Sequence, residues 1–526
     1  MIVLNSFKVD DAFGIADYKE ALGNFSTYKA ILNTFKLAFS VLGGTLLVGG
    51  GLAFICEKTN FKYKKIVDFF VFLSFTIPSY ILSVSWIQMT CRGGYFHRII
   101  EKIFPLFEYN FNTYSLESSI IVLIVHLYPV AYFGISNALK KMNGSMEKSA
   151  RVCGSTNLRI LFTIIIPLII PSIVSIGLMV ISRSMANFGV VAQLALPVGE
   201  EVLTTRIFSA MSQLNLSLVS VLSIILMLIS YFFFISSEKI ISKNRYFLSD
   251  LKNTEGKYCI KLGKWNFFIN GLVSLFFIFT TFIPLITILI SSFLKRWGLK
   301  VNFENMTFKN YSIVFFDNHL IRSSLFNSIS YGIIAATLAA GVGSLIVYFY
   351  KNLGNKKSKL LMNMSQLSIT VPNMILGIGA MYAWINEPIK LYGTKWIIIV
   401  SYIVLFIPII IKQIKGLSDN IDESIDKSAR TMGIPVIKRF SKLFLPLVNK
   451  GIASGWIICF LIALREIPIS ILLYSKGTET IGVMLFTVQS NSYGLEMTST
   501  IAVVVIIVSI IGNIFIKKIG VRRFKV

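Results

Sequence analysis

Long apolar blocks recur along the whole chain, and they limit the possible folds more than any other feature of the sequence. An α-helix needs about 20 apolar residues to cross the hydrocarbon core of a bilayer, and eleven blocks reach about that length. Of the 526 residues, 55% are apolar and only 14% are charged. We therefore predict an all-α polytopic membrane protein with spans in two series, five and then six. The spans are expected near residues 31–56, 66–90, 117–139, 164–187, 216–238, 267–293, 325–350, 360–385, 395–415, 443–465 and 498–517.

One phrase occurs twice, 279 residues apart, in polar segments between these blocks. It reads Lys-Ser-Ala-Arg, with a glycine three residues after the arginine and a proline thirteen residues after the glycine. An acidic residue precedes each copy. Two like loops on one membrane chain suggest two like surfaces for a partner with two equivalent sites. The copies comprise Glu147, Lys148, Ser149, Ala150, Arg151, Gly154 and Pro167, and Asp426, Lys427, Ser428, Ala429, Arg430, Gly433 and Pro446.

The duplication extends beyond the loops. Three pairs of residues within the apolar blocks share one offset of 294 residues, which favours duplication of a whole unit. We predict an N-terminal half, 1–245, with its loop at 140–163, and a C-terminal half, 246–526, with its loop at 416–442. Because both loops lie on the same side of the membrane, the halves form a parallel repeat. The three pairs are Asn33 and Asn327, Gly49 and Gly343, and Pro78 and Pro372.

The first half lacks a counterpart of the span near 267–293. Ile2–Phe7 resembles Ile288–Phe293, which ends that span. We therefore expect the coding sequence upstream of Met1 to encode about 20 more apolar residues, enough for one further helix. The full protein would then have six spans in each half.

The formal net charge of +26 is explained by the placement of Lys and Arg. Most of them lie on the side of the membrane that carries the two loops, so the positive-inside rule assigns both loops and the C-terminus to the cytoplasm. We predict a multi-pass membrane protein that contacts anionic lipid and does not bind nucleic acid. No metal site is expected, because the cysteines and histidines do not show ligand spacing. They are Cys56, Cys91, Cys153, Cys259 and Cys459, and His97, His126 and His319.

With its loops in the cytoplasm, the chain resembles the permease subunit of a bacterial binding-protein-dependent ABC importer, in a fused form that carries both halves. The duplicated phrase is similar to that family's EAA loop, Glu-Ala-Ala-x-x-x-Gly with a later Leu-Pro. Here Lys148 and Lys427 stand at the family's Glu position, and the acid lies one residue earlier, at Glu147 and Asp426. A specific ion pair of the family's Glu is therefore not carried over to this chain.

The resemblance implies a division of labour between subunits. The two loops, from Glu147 to Gly154 and from Asp426 to Gly433, would dock in grooves of an ATPase subunit present in two copies. The sequence contains no GxxxxGKS or GxxxxGKT phosphate loop, so ATP and Mg would bind to that partner. This chain itself would hold no cofactor and would not be an enzyme. Its external segments are short, which leaves substrate capture to a separate extracytoplasmic binding protein.

Polar and ionisable residues at membrane depth are candidates for the translocation pathway. Arg183 and Asn187 follow the first loop, and Arg465 and Glu466 take equivalent places after the second. They would line the pathway or its gate; in the alternative, they lie at the outer membrane interface. For a second group, helix bending or hydrogen bonding between helices is the favoured interpretation. That group comprises Asn33, Asn327, Pro78 and Pro372.

The substrate is suggested by the stretch Leu464–Leu473, which resembles fused permeases assigned to ferric iron. Related subgroups serve aminoethylphosphonate, thiamine and polyamines, and these stay as alternatives. A secondary transporter is the rival class, because such proteins also contain repeats. It is disfavoured because it gives no reason for duplicated basic loops. A membrane-embedded enzyme is a more distant alternative.

Overall fold

The computed structural model describes residues 2–9, 12–104, 110–142, 144–249, 259–368, 370–385, 388–490 and 494–518. Within these ranges the chain is almost entirely helical, which confirms the predicted all-α class. Two short antiparallel strands, Lys8–Val9 and Ala12–Phe13, form the one sheet of the described part. The C-terminal end, for which a cytoplasmic location is predicted, lies outside the described residues.

Nine helices in the described part are long and apolar enough to cross a membrane. They are Phe25–Lys58, Leu116–Lys141, Asn157–Met185, Leu216–Ser237, Trp265–Phe293, His319–Asn352, Lys395–Ser418, Val436–Ala463 and Gly494–Phe515. The shorter helices are Ile2–Ser6, Ala16–Gly23, Lys64–Thr76, Ser79–Thr90, Tyr95–Ile103, Ser145–Val152, Gly189–Leu194, Leu203–Ser212, Lys309–Ser312, Lys356–Leu367, Asn373–Trp384, Glu423–Thr431, Pro468–Leu473 and Ile481–Ser490.

The two remaining predicted spans, 66–90 and 360–385, are broken at their prolines. Lys64–Thr76 and the following segment Ser79–Ile103 meet at an angle of 94°. Pro78 and Pro372 each stand immediately before the second helix of their block, with ψ of 140°. Proline has no N–H to donate and pushes the preceding residue into an extended conformation, so the helix stops there. Both prolines therefore interrupt a span, where helix bending was expected, and the eleven expected passes become nine continuous helices and two broken segments.

The chain forms two compact units. One contains the described residues of Gly14–Ile290, and the other contains the described residues up to Phe13 together with those from Ser291 to Lys518. The helix that begins at Trp265 therefore packs with the first series of spans up to Ile290. The predicted halves, 1–245 and 246–526, describe the repeat in the sequence, and that division stays a prediction.

Aromatic and hydroxyl side chains hold the helix that begins at Trp265 within the first unit. The ring of Phe277 lies 5.4 Å from that of Phe70, and the ring of Phe276 lies 5.1 Å from that of Tyr128. The hydroxyl of Tyr128 donates to Ser74 Oγ, which lies 2.7 Å from Thr281 Oγ1. Buried hydroxyls at membrane depth need such partners, because lipid cannot supply them. This network fixes both the rotation and the depth of the helix.

Glycine allows a close helix contact in the first unit. A Cβ atom at Gly49 would lie 2.5 Å from the backbone oxygen of Tyr128, so the helices Phe25–Lys58 and Leu116–Lys141 approach backbone to backbone. Small residues permit this approach in membrane helices. The counterpart Gly343 faces Ile410, where a Cβ would lie 2.7 Å from Cγ2. The matched offset of 294 residues therefore corresponds to matched packing.

The short helix Ile2–Ser6 also has a counterpart contact. Ile2 Cδ1 lies 3.5 Å from the place that a Cβ atom at Gly379 would take. Ser85, which precedes Gly379 by 294 residues, donates a hydrogen bond of 3.1 Å to the backbone oxygen of Pro284. Ile2–Ser6 thus contacts the helix after Pro372 as the region of Pro284 contacts the helix after Pro78. The equivalence of residues 2–7 with 288–293 agrees with this packing, while the upstream helix stays a prediction.

Candidate functional site: the two repeat loops

Each copy of the duplicated phrase folds as a short helix. We call Ser145–Val152 repeat helix 1 and Glu423–Thr431 repeat helix 2. The Asp422 side chain accepts a hydrogen bond of 2.8 Å from the N–H of Ser424 and caps the start of repeat helix 2. This bond lowers the pKa of Asp422, because it favours the charged carboxylate.

The glycine of each phrase ends its helix in the left-handed conformation. Gly154 has φ of 81° and Gly433 has φ of 75°. Their N–H groups donate to the backbone oxygens of Arg151 and Arg430. The N–H groups of the next residues donate to the backbone oxygens of Ala150 and Ala429, at 3.0 and 3.1 Å. This pairing satisfies carbonyls that the helix end would leave open. Each repeat helix therefore stops at the glycine of its phrase.

A π-helical turn connects each loop to the next span. Leu161–Ile165 precedes Pro167, and Arg439–Phe444 precedes Pro446. Proline cannot donate the hydrogen bond of a regular helix, and π-turns insert a residue without breaking the helix. A short turn therefore joins each repeat helix to the next span, which runs without a break to Met185 or to Ala463.

The acid of the first phrase points into the protein. The Glu147 side chain is 0% exposed and forms an ion pair with Lys58, whose side chain is 6% exposed. Lys58 is the last residue of the Phe25–Lys58 helix. A second pair lies beside it, because Glu57 contacts Lys64 at 2.5 Å and Lys140 at 3.3 Å. Repeat helix 1 is thus attached to the end of a membrane span by a buried ion pair.

The acid of the second phrase also forms an internal ion pair, but with a different partner. Asp426 Oδ2 lies 2.6 Å from Arg439, which belongs to the π-turn after repeat helix 2. Its other oxygen accepts a hydrogen bond of 3.3 Å from the hydroxyl of Tyr348. Glu147 thus attaches its loop to the end of a membrane span, whereas Asp426 pairs with a residue of its own loop. Sequence reasoning missed Lys58 and Arg439, because no motif marks them.

The exposed side of the loops carries cations and small residues. Lys148, Ser149, Arg151 and Gly154 are exposed, and so are their counterparts Lys427, Ser428, Arg430 and Gly433. Among the residues expected to dock in the ATPase grooves, Ala150 and Ala429 are exceptions, because Ala150 packs against the hydrophobic core beneath the loop and Ala429 is buried. Successive residues of a helix point about 100° away from each other, so these alanines can face the protein while their neighbours in the phrase face outward.

Comparison with known families agrees with the two-half arrangement. The profile of the family described as "Binding-protein-dependent transport system inner membrane component" matches residues 48–245 and 332–522. Each match contains one repeat loop, and together they cover well over half of the chain. The chain belongs to this family. It is an ABC importer permease and a multi-pass membrane protein.

Similar permeases extend over most of the chain. The ferric transport system permease protein FbpB of Actinobacillus pleuropneumoniae is 25% identical over 532 residues, which covers 97% of this chain and 74% of its own. The Fe(3+)-transport system permease protein FbpB 2 of Haemophilus influenzae is 22% identical, covering 88% of this chain and 84% of its own. The spermidine/putrescine transport system permease protein PotC of Escherichia coli is 20% identical and covers 44% of this chain and 87% of its own.

The four pathway candidates fall into two groups with different surroundings in the structure of the permease. Arg183 is exposed in the last turn of the Ile166–Met185 helix, and Arg465 is half-buried. Asn187 and Glu466, in contrast, both cap short helices. The Asn187 Oδ1 accepts from the N–H of Val190 at 3.1 Å.

Glu466 is buried and accepts several hydrogen bonds. The N–H groups of Ile469 and Ser470 donate to its carboxylate at 2.9 and 3.1 Å, and the Ser470 hydroxyl donates at 3.0 Å. The Ser470 hydroxyl also lies 2.6 Å from that of Tyr402. A buried carboxylate is tolerated where donors surround it in this way. The second half thus holds a polar cluster where the first half has Asn187.

Both capping side chains also reach the second helix of a broken span. Asn187 donates a hydrogen bond of 3.2 Å to Ser79, the residue after Pro78. Asn373, the residue after Pro372, hydrogen-bonds the Glu466 carboxylate. The broken spans and the short capped helices are therefore joined at equivalent points in the two halves.

The polar residues near the start of the long spans have structural partners. Asn33 donates to the backbone oxygen of Glu201 at 3.0 Å, and Asn327 donates to that of Glu479 at 3.0 Å. Both asparagines thus form structural hydrogen bonds, but with connecting segments and not with another helix as expected. Among the described residues, no group of three or more His, Cys, Asp or Glu side chains could hold a metal ion.

Proposed function

We propose that this permease imports ferric iron, which an extracytoplasmic binding protein delivers and two copies of a separate ATPase subunit drive across the membrane. The equal geometry of the two repeat loops carries the proposal. Both end in the same glycine-centred hydrogen-bond pattern and expose the same residue types at equivalent positions. Two copies of one ATPase would bring two identical grooves, and identical grooves require two like helices.

The relatives support ferric iron as the substrate. The two FbpB proteins, whose names state ferric or Fe(3+) transport, align with 97% and 88% of this chain. The polyamine permease PotC aligns with only 44%. The fused two-half arrangement is thus shared with the ferric permeases. Aminoethylphosphonate, thiamine and polyamines stay as the alternative substrates.

The excess of Lys and Arg on the loop side supports a cytoplasmic location of both repeat helices in the bacterial inner membrane. ATP and Mg would bind to the ATPase subunits, so this chain would carry no cofactor of its own. Contact with anionic lipid is part of the same proposal.

Uptake by the reconstituted complex tests this function. Proteoliposomes containing the permease and its ATPase are expected to take up radioactive ferric iron from the loaded binding protein only when ATP is enclosed. Unlabelled aminoethylphosphonate, thiamine and spermidine are not expected to compete. Uptake driven by an ion gradient without ATP would instead indicate a secondary transporter, and competition by spermidine would identify a polyamine system.

We also propose that Arg183, Asn187, Arg465 and Glu466 belong to the translocation pathway or its gate. Their support is the pair of capped helices, each joined to a broken span in a region where the membrane helices are interrupted. Irregular backbone at membrane depth is tolerated where it is buried in protein or lines a water-filled cavity.

Glu466→Gln tests this proposal. Glutamine keeps one acceptor oxygen for the N–H of Ile469, so the yield of folded protein is expected to stay within about twofold, while loss of the buried charge changes iron uptake severalfold. Asn187→Ala, which removes the neutral cap of the first half, is the matched variant. Size-exclusion profiles and uptake rates are measured together. Parallel loss of folding and uptake in Glu466→Gln would make the residue structural and contradict the gate proposal.

A further inference from the structure

The two loops expose cations at three equivalent positions. Lys148, Arg151 and Arg159 are exposed in the first loop. Exactly 279 residues later, Lys427, Arg430 and Lys438 are exposed in the second. The first two pairs lie on the repeat helices, and the third lies just beyond the glycine that ends each helix. Three positive charges therefore surround each helix end in the same order.

The acids of the loops do not neutralise these cations equally. In segment 140–163 the only acid is Glu147, and it is buried against Lys58. Asp426 is paired with Arg439 inside the second loop. The second loop also carries Asp419, Asp422 and Glu423, which lie before or at the start of repeat helix 2. The loops thus differ in these preceding acids and agree in the three cations.

Exposed apolar side chains accompany the cations at equivalent positions. Leu158 is 68% exposed and its counterpart Ile437 is 81% exposed. Met146 and its counterpart Ile425 are exposed as well. Large apolar side chains next to a ring of charge mark protein interaction sites, and interfaces of this kind combine an apolar centre with a polar rim.

We infer that the ATPase groove receiving each repeat helix has an apolar floor and an acidic rim, which pairs with these three cations. The inference rests on the proposed function and specifies its partner surface. Two identical grooves can be matched only by the features that both loops share, and beside the small residues of the phrase those features are the cations and the apolar residues. The preceding acids, present in one loop, cannot be what both grooves recognise.

Charge reversal at the six positions tests this inference. The six-residue variant combines Lys148→Glu, Arg151→Glu and Arg159→Glu with Lys427→Glu, Arg430→Glu and Lys438→Glu. The probe is the ATPase subunit that co-purifies with the wild-type chain, and binding is measured in nanodiscs of zwitterionic lipid. We expect affinity to fall by at least about tenfold, because each lost pair contributes up to about 1 kcal/mol and repulsion adds to it.

A matched control reverses the same type of charge elsewhere. Lys356, Lys357 and Lys359 are exposed on the Lys356–Leu367 helix, and their reversal to Glu is expected to leave affinity within about twofold. A second measurement needs no variant, because wild-type affinity should fall as salt rises and screens exposed charges.

Three outcomes overturn the inference while the proposed function stands: wild-type affinity for the six-residue variant, wild-type binding that is insensitive to salt, or a loss that occurs only in nanodiscs with anionic lipid. The last outcome would assign the cations to the bilayer. If no ATPase subunit co-purifies with the wild-type chain, the proposed function itself fails.

Discussion

Replacing Lys58 with methionine is expected to lower the free energy of unfolding by about 3–5 kcal/mol, the usual cost of removing one partner of a buried ion pair. Methionine fills similar volume but leaves the fully buried carboxylate of Glu147 without its cation. Thermal and denaturant unfolding of the purified permease in detergent measure the loss.

Two further variants control this prediction. Lys58→Met combined with Glu147→Gln removes both charges and should recover most of the lost stability, because no buried charge remains. Arg439→Met breaks the equivalent pair in the second loop, where Asp426 is 23% exposed, so water compensates part of the loss. Equal destabilisation by Lys58→Met and Arg439→Met would show that the deeper burial of Glu147 does not increase the stability lost when its ion pair is broken.

Replacing both loop glycines, Gly154→Phe with Gly433→Phe, is expected to abolish iron uptake while the protein still inserts into the membrane. A Cβ atom at either position would meet nothing within 4 Å, and both glycines are exposed, so the phenyl rings are expected to project from the exposed side of the loops. There they would obstruct the docked ATPase. Backbone strain at positive φ adds only about 1–2 kcal/mol per site.

Other open glycines separate strain from docking. Gly199 and Gly393 have φ of 72° and 83°, and a Cβ atom at either would also meet nothing within 4 Å. The variant Gly199→Phe with Gly393→Phe therefore carries similar strain away from the repeat loops. It should retain uptake and co-purify with the ATPase. Full uptake by the Gly154→Phe and Gly433→Phe variant would contradict the proposal that the loops dock the ATPase.

Several features of the fold follow from local properties that the sequence displays. Apolar blocks of spanning length predict membrane helices, and nine of the eleven blocks form continuous helices of that length in the described part of the chain. Gly154 and Gly433 end the repeat helices because the hydrogen bonds that stop a helix lie within six consecutive residues. The family, too, could be identified from the duplicated phrase, because its residues are adjacent in the chain.

The ion-pair partner of each acid could not be predicted from the phrase. Glu147 pairs with Lys58, which lies 89 residues earlier, whereas Asp426 pairs with Arg439, only 13 residues later. The pattern around the two acids is almost the same, so nothing local distinguishes these partners. The breaks at Pro78 and Pro372 were equally open, because a proline in a membrane helix can bend the helix or end it.

The sequence by itself therefore determined the helical class, the duplication, the two loops and the glycines that end them. Only the tertiary structure decided that Glu147 is buried, that Asn187 and Glu466 cap helices beside the broken spans, and that the helix beginning at Trp265 packs in the first unit. The physical reason is distance along the chain. Helix propensity and capping act within a few residues, whereas ion pairs and helix packing join segments whose meeting depends on the whole fold.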